Sequence, residues 1–534
     1  MQQLSELDAS FLYLENDHSP MHIGGLYVFD ATGREIPFSY EEFERFIEDR
    51  LHMASFFRKR LVEVPLKLDH PYWVDDPEFD LGKHMVHTTL DAPDSRDKLN
   101  QLACDILKKP LKRDRPLWEV TYLDGLETIP DLPAKSFALV VKIHHAAIDA
   151  FSGEDIMGTL LDFSPTPKPV TPSSQWQPNP LPSTMRLLSS AYSSALQTPF
   201  RLANMAKETA ASTFYSVLLQ RLNNLNLPPS LFSAPSTPIN TAISDERSIG
   251  FFDIPLERIK ALKFSIGHDV TINDVVCGIC AEALRSYLSR RDALPDSALL
   301  AMTPISIRST NLQSPTGSNV AAMMLSLATD ESNPAWRVIR IHDNAVISKT
   351  YSQAISAQRL THVIPSTMTG LAARIYTEFL LAQKHKPIFN VPLTNIPGPQ
   401  SPLYLNGCKL VDQIGTSPLF DGLGLSVVAI SYNGKITFSL TTCPTLIPDV
   451  NELLLDFQAA LLAIEEASDG LEQLTVPSYE PYNPPSSSLV DMGSALILDV
   501  LSLFQNLFSF SKSDNSNPLS DASVPDKPKP NKSK

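Results

Sequence analysis

A chain of 534 residues that is 43% hydrophobic and 19% charged is too long for one ordinary core and too apolar to stay unfolded, so two compact domains of roughly 150 to 200 residues plus connectors are expected. The formal net charge of −15 argues against nucleic acid as a partner and against general attraction to anionic lipid, which leaves apolar contact as the route to any membrane. Five scattered cysteines, Cys104, Cys277, Cys280, Cys408 and Cys443, fit free thiols in a reducing compartment.

The first residues lack a basic segment followed by an apolar stretch, and no run of about 18 uncharged apolar residues occurs, so neither a secretory signal nor a membrane span is expected. The chain is expected to work in the cytoplasm. Residues 1–163 read as mixed strands and helices. Within them, Phe137, Leu139, Val141 and Ile143 alternate on one face of a strand over 136–143. His144 and His145 follow at once, then Asp149. Ser152 with Asp155 has the spacing of a capping box, and Ile156, Met157, Leu160 and Leu161 repeat at helical spacing, which puts the histidines in a strand-to-helix loop.

Seven prolines between Pro165 and Pro182 mark a boundary, and residues 183–226 suggest connecting helices closed by Pro228, Pro229 and Pro235. Residues 164–238 are thus a linker and crossover. Residues 239–476 form a second α/β half, with a strand over 425–430 and a helix over 275–288. Thr271, Ile272, Asn273 and Asp274 have the capping-box pattern that would open that helix. Cys277 and Cys280 lie on its apolar pattern and read as core rather than as a metal or redox pair. From residue 477 the chain turns to proline and serine. Leu496, Ile497, Val500, Leu501, Phe504, Leu507 and Phe508 then share one helical face over 494–510, ahead of a polar tail ending at 534. That face could dock on the enzyme body or lie on lipid, and both readings stand.

Transfer of an acyl group to an alcohol needs a base for the hydroxyl proton and an acid for the leaving thiolate, and a histidine with pKa near 6.5 serves both steps. A histidine pair alone is more often core, surface or part of a metal site. His144, His145 and Asp149, however, resemble the HHxxxDG motif of the coenzyme A-dependent acyltransferase superfamily. LSELDASF at 4–11, PMHIGG at 20–25, WVDD at 73–76, PLWE at 116–119, TIND at 271–274 and NIPGP at 395–399 resemble, in that order, the wax ester synthase/diacylglycerol acyltransferase family.

The resemblance covers roughly residues 4–472. It implies two chloramphenicol-acetyltransferase-like α/β domains with a helical crossover and an active-site channel between them. It further implies His145 as general base, His144 as a neighbour shaping the loop, and Asp149 as a structural residue held by an arginine, for which Arg308 is the candidate. Coenzyme A carries phosphates, so Lys108, Lys109, Lys112, Arg113 and Arg115 become candidates for that contact, against the simpler reading of a solvated face. Pro116, Leu117 and Trp118 are a rigid wall that either packs or lines the acyl channel, and Asn273 and Asp274 cap a helix that could also line it. Acyl-coenzyme A is the implied co-substrate, with no permanently bound cofactor. Diacylglycerol or a fatty alcohol is the acceptor, and a membrane or lipid-droplet surface is a further partner.

Three positions depart from the family pattern: Ala150 stands for glycine, Lys112 for aspartate and Cys443 for aspartate. Ala150 is the one that bears on activity, because glycine there could supply a backbone angle that alanine adopts only at a cost. The alternative function is a lipid-surface-binding protein that keeps the fold without catalysis. A condensation domain is a third option, against which no carrier-protein segment is apparent.

Overall fold

Residues 136–144 carry apolar or branched side chains at nearly every position, and a strand of that kind needs partners on both faces. It finds them. Phe137 and Leu139 pack into an aromatic cluster with Phe29, Trp118 and Tyr122, while Ala138 and Val140 pack against Leu99, Ala103 and Cys104 on the other side. Each such buried side chain the size of valine or leucine contributes about 1.5–3 kcal/mol. The computed structural model describes residues 1–91, 95–150, 159–170, 176–194, 196, 229, 233–267, 269–306, 320–355 and 387–469; for residues 6–7, 148–150, 305–306, 320–322 and 350–355 it describes the backbone alone.

The first half contains β1 (Gln2–Gln3), α1 (Glu6–Leu14), β2 (His22–Asp30), α2 (Tyr40–Arg50), β3 (Lys59–Val62), β4 (Tyr72–Asp75) and β5 (Met85–Thr89). It continues with α3 (Arg96–Leu107), β6 (Trp118–Asp124), β7 (Ser136–His144) and α4 (His145–Ala150). The second half begins with β8 (Ser248–Pro255), α5 (Leu256–Ile266), α6 (Ile272–Ser289), β9 (Leu300–Ser306), β10 (Val320–Ser326) and α7 (Pro334–Ile355). After it come β11 (Val391–Pro397), β12 (Tyr404–Leu405), β13 (Cys408–Thr416), β14 (Leu425–Tyr432), β15 (Lys435–Thr442) and α8 (Val450–Ser468).

Two six-stranded sheets organise the two α/β halves, with strand orders β12-β13-β2-β7-β6-β5 and β10-β9-β11-β14-β15-β8. The first order is the informative one. The stretch 239–476 is one piece in sequence, yet its strands β12 and β13 belong to the sheet of the first half, where β13 pairs antiparallel with β2. Asp162 and Tyr404 add a bridge between the same two parts of the chain. Period-two patterning identifies a strand but not its neighbour, so this exchange is invisible to pattern reading.

Glycines make the exchange possible. A Cβ on Gly24 would lie 1.7 Å from the Val141 carbonyl oxygen, and one on Gly25 would lie 2.2 Å from that of Ile414. Only side-chain-free residues let β2 sit between β7 and β13 at this spacing. In the second half α6 is buried almost all round between its sheet and α7 and α8, with Cys277 and Cys280 fully inside. That matches the reading of both thiols as core.

β3 and β4 form a hairpin whose connection reaches left-handed backbone at two non-glycine residues, Leu66 (φ 59°) and Lys67 (φ 54°). Each costs about 1–2 kcal/mol. A helix over 184–194, within the expected crossover, packs through Leu187 and Ala191 against Val64, Tyr72 and Val74. Residues 171–175, 195, 197–228 and 230–232 of the crossover, residues 151–158 of the helix expected after Ser152, and the 494–510 stretch lie outside the described residues. No helix among the described residues is long and apolar enough to cross a membrane.

Candidate active site

Strand β7 runs directly into α4: His144 is the last strand residue and His145 the first helical one. Over 144–150 a direct strand-to-helix junction thus stands where a loop carrying both histidines was expected. His144 remains in register because β2 continues opposite it, with His22 paired to His144, while the next backbone amide, that of His145, donates to the Met21 carbonyl at 2.8 Å. The Leu117 carbonyl accepts from the amide of His144 at 3.0 Å. Both histidines are therefore fixed through their backbones by the PMHIGG and PLWE segments.

His144 is buried, and its Nδ1 accepts from the backbone amide of Ala146 at 3.1 Å. An accepting Nδ1 places the proton of the neutral ring on Nε2, which faces Glu15 Oε1 at 3.6 Å. Glu15 also binds Arg113, with Oε2 accepting from Nη2 at 2.5 Å and from Nε at 3.0 Å, and its Oε1 accepts from the Met21 amide at 3.3 Å. Burial alone would raise the Glu15 carboxyl, but His144 and the Arg113 guanidinium outweigh it and hold the pKa at about 2. The carboxylate is charged throughout the working range.

The His145 ring is covered by Phe11, the two ring centroids lying 3.7 Å apart at an interplanar angle of 16°. Burial, aided by neighbouring His144, pushes the His145 pKa down to about 4, so the ring is neutral at pH 7. Its Nδ1 is buried with no hydrogen-bond partner among the described residues. Behind the pair, burial and then the charge of Lys142 push His22 down to about 3. Lys142, itself buried, binds Glu119 at 2.6 Å and donates to the carbonyls of Ile106 and Lys109 at the end of α3.

Helix α1 explains how Phe11 and Glu15 reach these positions. Ser5 caps it by accepting from the Asp8 amide at 3.1 Å, and its hydroxyl donates to Asp8 Oδ2 at 2.7 Å. Phe11 then falls over His145, and Glu15 follows as the C-cap. Neither residue was singled out in the sequence. The available signal was the LSELDASF segment itself, which carries Phe11 but gives no hint of what lies beneath it.

The other expected residues are distributed as follows. Lys108 pairs with Asp105 at 2.9 Å, Arg113 with Glu15, and Arg115 with Asp114 at 2.8 Å, so three of the five cations already have carboxylate partners. Lys109 and Lys112 are exposed. Trp118 is core: its Nε1 donates to the Phe57 carbonyl at 2.9 Å, and its ring stacks on His84 at 4.5 Å. Pro116 and Leu117 are buried beside it, which favours packing over channel lining for this wall.

In the second half, Thr271 and Asp274 form the capping box expected of them. Asp274 Oδ2 accepts from the Thr271 amide and hydroxyl, both at 2.8 Å, and also lies 2.8 Å from His342 Nδ1. Asn273 Oδ1 accepts from Asn395 Nδ2 at 3.2 Å, which joins the TIND and NIPGP segments. Cys443 takes the Ser244 amide at 3.3 Å. The side chain of Asp149 and the whole of Arg308 lie outside the described residues. Ala150 ends α4, and right-handed helical backbone suits alanine better than glycine by about 1 kcal/mol.

Comparison with known proteins agrees along the chain. The family description "Wax ester synthase/diacylglycerol acyltransferase catalytic domain" matches residues 4–276, and "WS/DGAT C-terminal domain" matches 316–465. Among curated relatives, a Mycobacterium tuberculosis protein named as the diacylglycerol O-acyltransferase Rv1760 is 31% identical over 88% of this chain and 91% of its own. A second from that organism, Rv3740c, is 32% identical over 87% and 99%. The solved wax ester synthase/diacylglycerol acyltransferase of Marinobacter aquaeolei superposes with a TM-score of 0.60 at 26% identity, covering 88% of this chain and all of that one. With both family domains in order and relatives aligned over nearly their full lengths, the chain belongs to the wax ester synthase/diacylglycerol acyltransferase family of enzymes.

Proposed function

We propose that this protein moves a long-chain acyl group from acyl-coenzyme A to diacylglycerol or a long-chain alcohol, with His145 as general base and no acyl-enzyme. The observation that carries the assignment is the placement of His145, held at the junction of β7 and α4 and stacked under Phe11, where burial keeps its ring neutral. With Nδ1 sealed and unpartnered, Nε2 is the nitrogen left to meet a hydroxyl. It takes the acceptor's proton as the alcohol oxygen bonds to the thioester carbonyl carbon. The C–S bond then breaks, and the imidazolium returns the proton to the departing thiolate.

His144 positions rather than reacts, because it is buried, its Nδ1 is taken by the Ala146 amide and its Nε2 faces the Glu15 carboxylate at 3.6 Å. Asp149, with Arg308 as its partner, is assigned the structural role that the family motif implies. Lys109 and Lys112, exposed and outside every ion pair among the described residues, are the members of the basic cluster left for the coenzyme A phosphates. The reaction calls for no resident cofactor. In this reading the enzyme works from the cytoplasm and meets its lipid acceptor at a membrane or lipid-droplet surface.

The test is release of free coenzyme A from palmitoyl-coenzyme A, with hexadecanol or diacylglycerol supplied as acceptor. His145→Ala is expected to lower turnover by about 10²–10⁴; equal turnover in the variant would remove His145 as the base. The non-catalytic alternative drew its support from Ala150 and from the added C-terminal tail; helical backbone at Ala150 weakens the first of these, and absence of coenzyme A release with every alcohol, alongside lipid binding that survives His145→Ala, would favour that alternative.

A further inference from the structure

The connection between β3 and β4 is unusual for a solvent-exposed turn. Positions with positive φ are normally filled by glycine, asparagine or aspartate. Here they hold Leu66 and Lys67, and Leu66 is 88% exposed with Leu68 beyond it at 48%. Leu66 is thus held out into solvent on strained backbone, and Leu68, on ordinary right-handed backbone, stands half-exposed beside it. The helix that packs against the base of this hairpin also shows apolar side chains outward. Met185 is 76% and Tyr192 69% exposed, seven residues apart and so on one helical stripe.

Directly behind the tip is a cavity of about 420 Å³, within the range that takes a small-molecule or lipid fragment. Leu61, Val64 and Lys67 line it from the hairpin, and Leu12 of α1 and its C-cap Glu15 from the other side, with Arg113 closing one flank. Glu15 is the residue that touches His144. The same cavity therefore borders the exposed tip at one end and the histidine framework at the other.

We propose that the 65–68 tip docks on a lipid surface and that the cavity behind it receives the polar end of the acceptor lipid drawn from that surface. The inference rests on the acyltransferase reading above, since a diacylglycerol acceptor resides in lipid and the enzyme must reach it there. The occupant is a lipid surface rather than a charged partner. A protein of net charge −15 has no long-range attraction to anionic membranes, so a local apolar contact is the means left to it. Lys67, between the two leucines, can stay at headgroup level while its neighbours insert.

The test compares the full-length protein with a Leu66→Ser, Leu68→Ser double variant. One readout is flotation with phosphatidylcholine vesicles containing dioleoylglycerol; the other is coenzyme A release with that vesicle-borne acceptor and, separately, with dissolved hexanol. The double variant should lose roughly tenfold or more in vesicle association and in diacylglycerol turnover while keeping its turnover of hexanol. Leu66→Trp should in addition be quenched by brominated lipid. Unchanged flotation and turnover in the double variant, or no quenching of the tryptophan, would overturn the proposal. So would a shift from dimer to monomer with flotation unchanged, which would assign the tip to a second copy of this chain. If the unmodified protein turns over neither vesicle-borne diacylglycerol nor hexanol, the acyltransferase reading fails, while flotation and quenching still decide the docking.

Discussion

The ring of Phe11, from the first helix of the chain, lies parallel to the ring of His145 and close enough to exclude water from one of its faces. A phenyl face offers no hydrogen bond to an imidazolium, so the contact favours the neutral ring and contributes to a pKa near 4 instead of the usual 6.5. In Phe11→Ala the ring is rehydrated. The acid limb of the kcat/KM profile should move up from about pH 4 toward 6.5, with a roughly tenfold loss at pH 7 from lost orientation. A pH–rate series on both proteins measures it; an unmoved limb would clear Phe11 of this role.

Glu15→Gln keeps the size of the side chain and removes the charge that faces His144 and binds Arg113. Turnover should fall by roughly 10- to 100-fold, mostly in kcat, because the β7–α4 junction that carries His145 is displaced while substrate contacts remain. Arg113→Lys should lose less, since it keeps the charge but not the two-pronged contact. A change confined to KM would count against positioning.

The acid stability of the protein should reflect its buried neutral histidines. His22 and His145 take up protons near pH 6.5 when unfolded but only at about 3 and 4 when folded. Between those values the unfolded chain binds more protons, so stability is highest above pH 6.5 and falls as the pH drops through the window, by at most about 1.4 kcal/mol per unit per histidine. Glu15 adds to the loss below about 4.5, since its folded pKa is depressed to about 2. Denaturant midpoints at pH 7.5, 6, 5 and 4 should decline steadily; a flat series would refute buried neutral imidazoles.

Gly24→Ala should cost several kcal/mol and yield little folded protein, because a methyl group there meets the Val141 carbonyl. Gly33→Ala, which meets nothing within 4 Å, is the control and should fold normally. Comparing soluble yields and thermal midpoints of the two distinguishes close strand approach from a general dislike of substitution.

Much of this was legible in the sequence where a local rule applied. The alternation Phe137, Leu139, Val141, Ile143 marks a strand because side chains alternate across a sheet, and Thr271 with Asp274 marks a helix start because the spacing itself makes the two hydrogen bonds. What was not legible depended on partners distant in sequence. The basic cluster near residue 110 looks free until Asp105, Glu15 and Asp114 are seen beside it. Trp118 looks equally fit for a channel or a core until His84 and Phe57 are found around it. Glu15 and Phe11 belong to a helix whose pattern says nothing about the histidines 130 residues later, and only the packing of α1 on α4 gives them a role.

Strand β13 also sets a schedule for synthesis. Its pairing partner β2 ends at residue 30, yet β13 does not leave the ribosome until residue 416 has been added, which at about 5–20 residues per second leaves a gap of roughly 20–80 s. Once β7 has paired with it, β2 keeps one edge open for the rest of that interval, complementary to a segment that a neighbouring copy can supply first. Crowded translation of this message therefore invites strand exchange between copies, and slower initiation or early chaperone capture should favour the monomeric product.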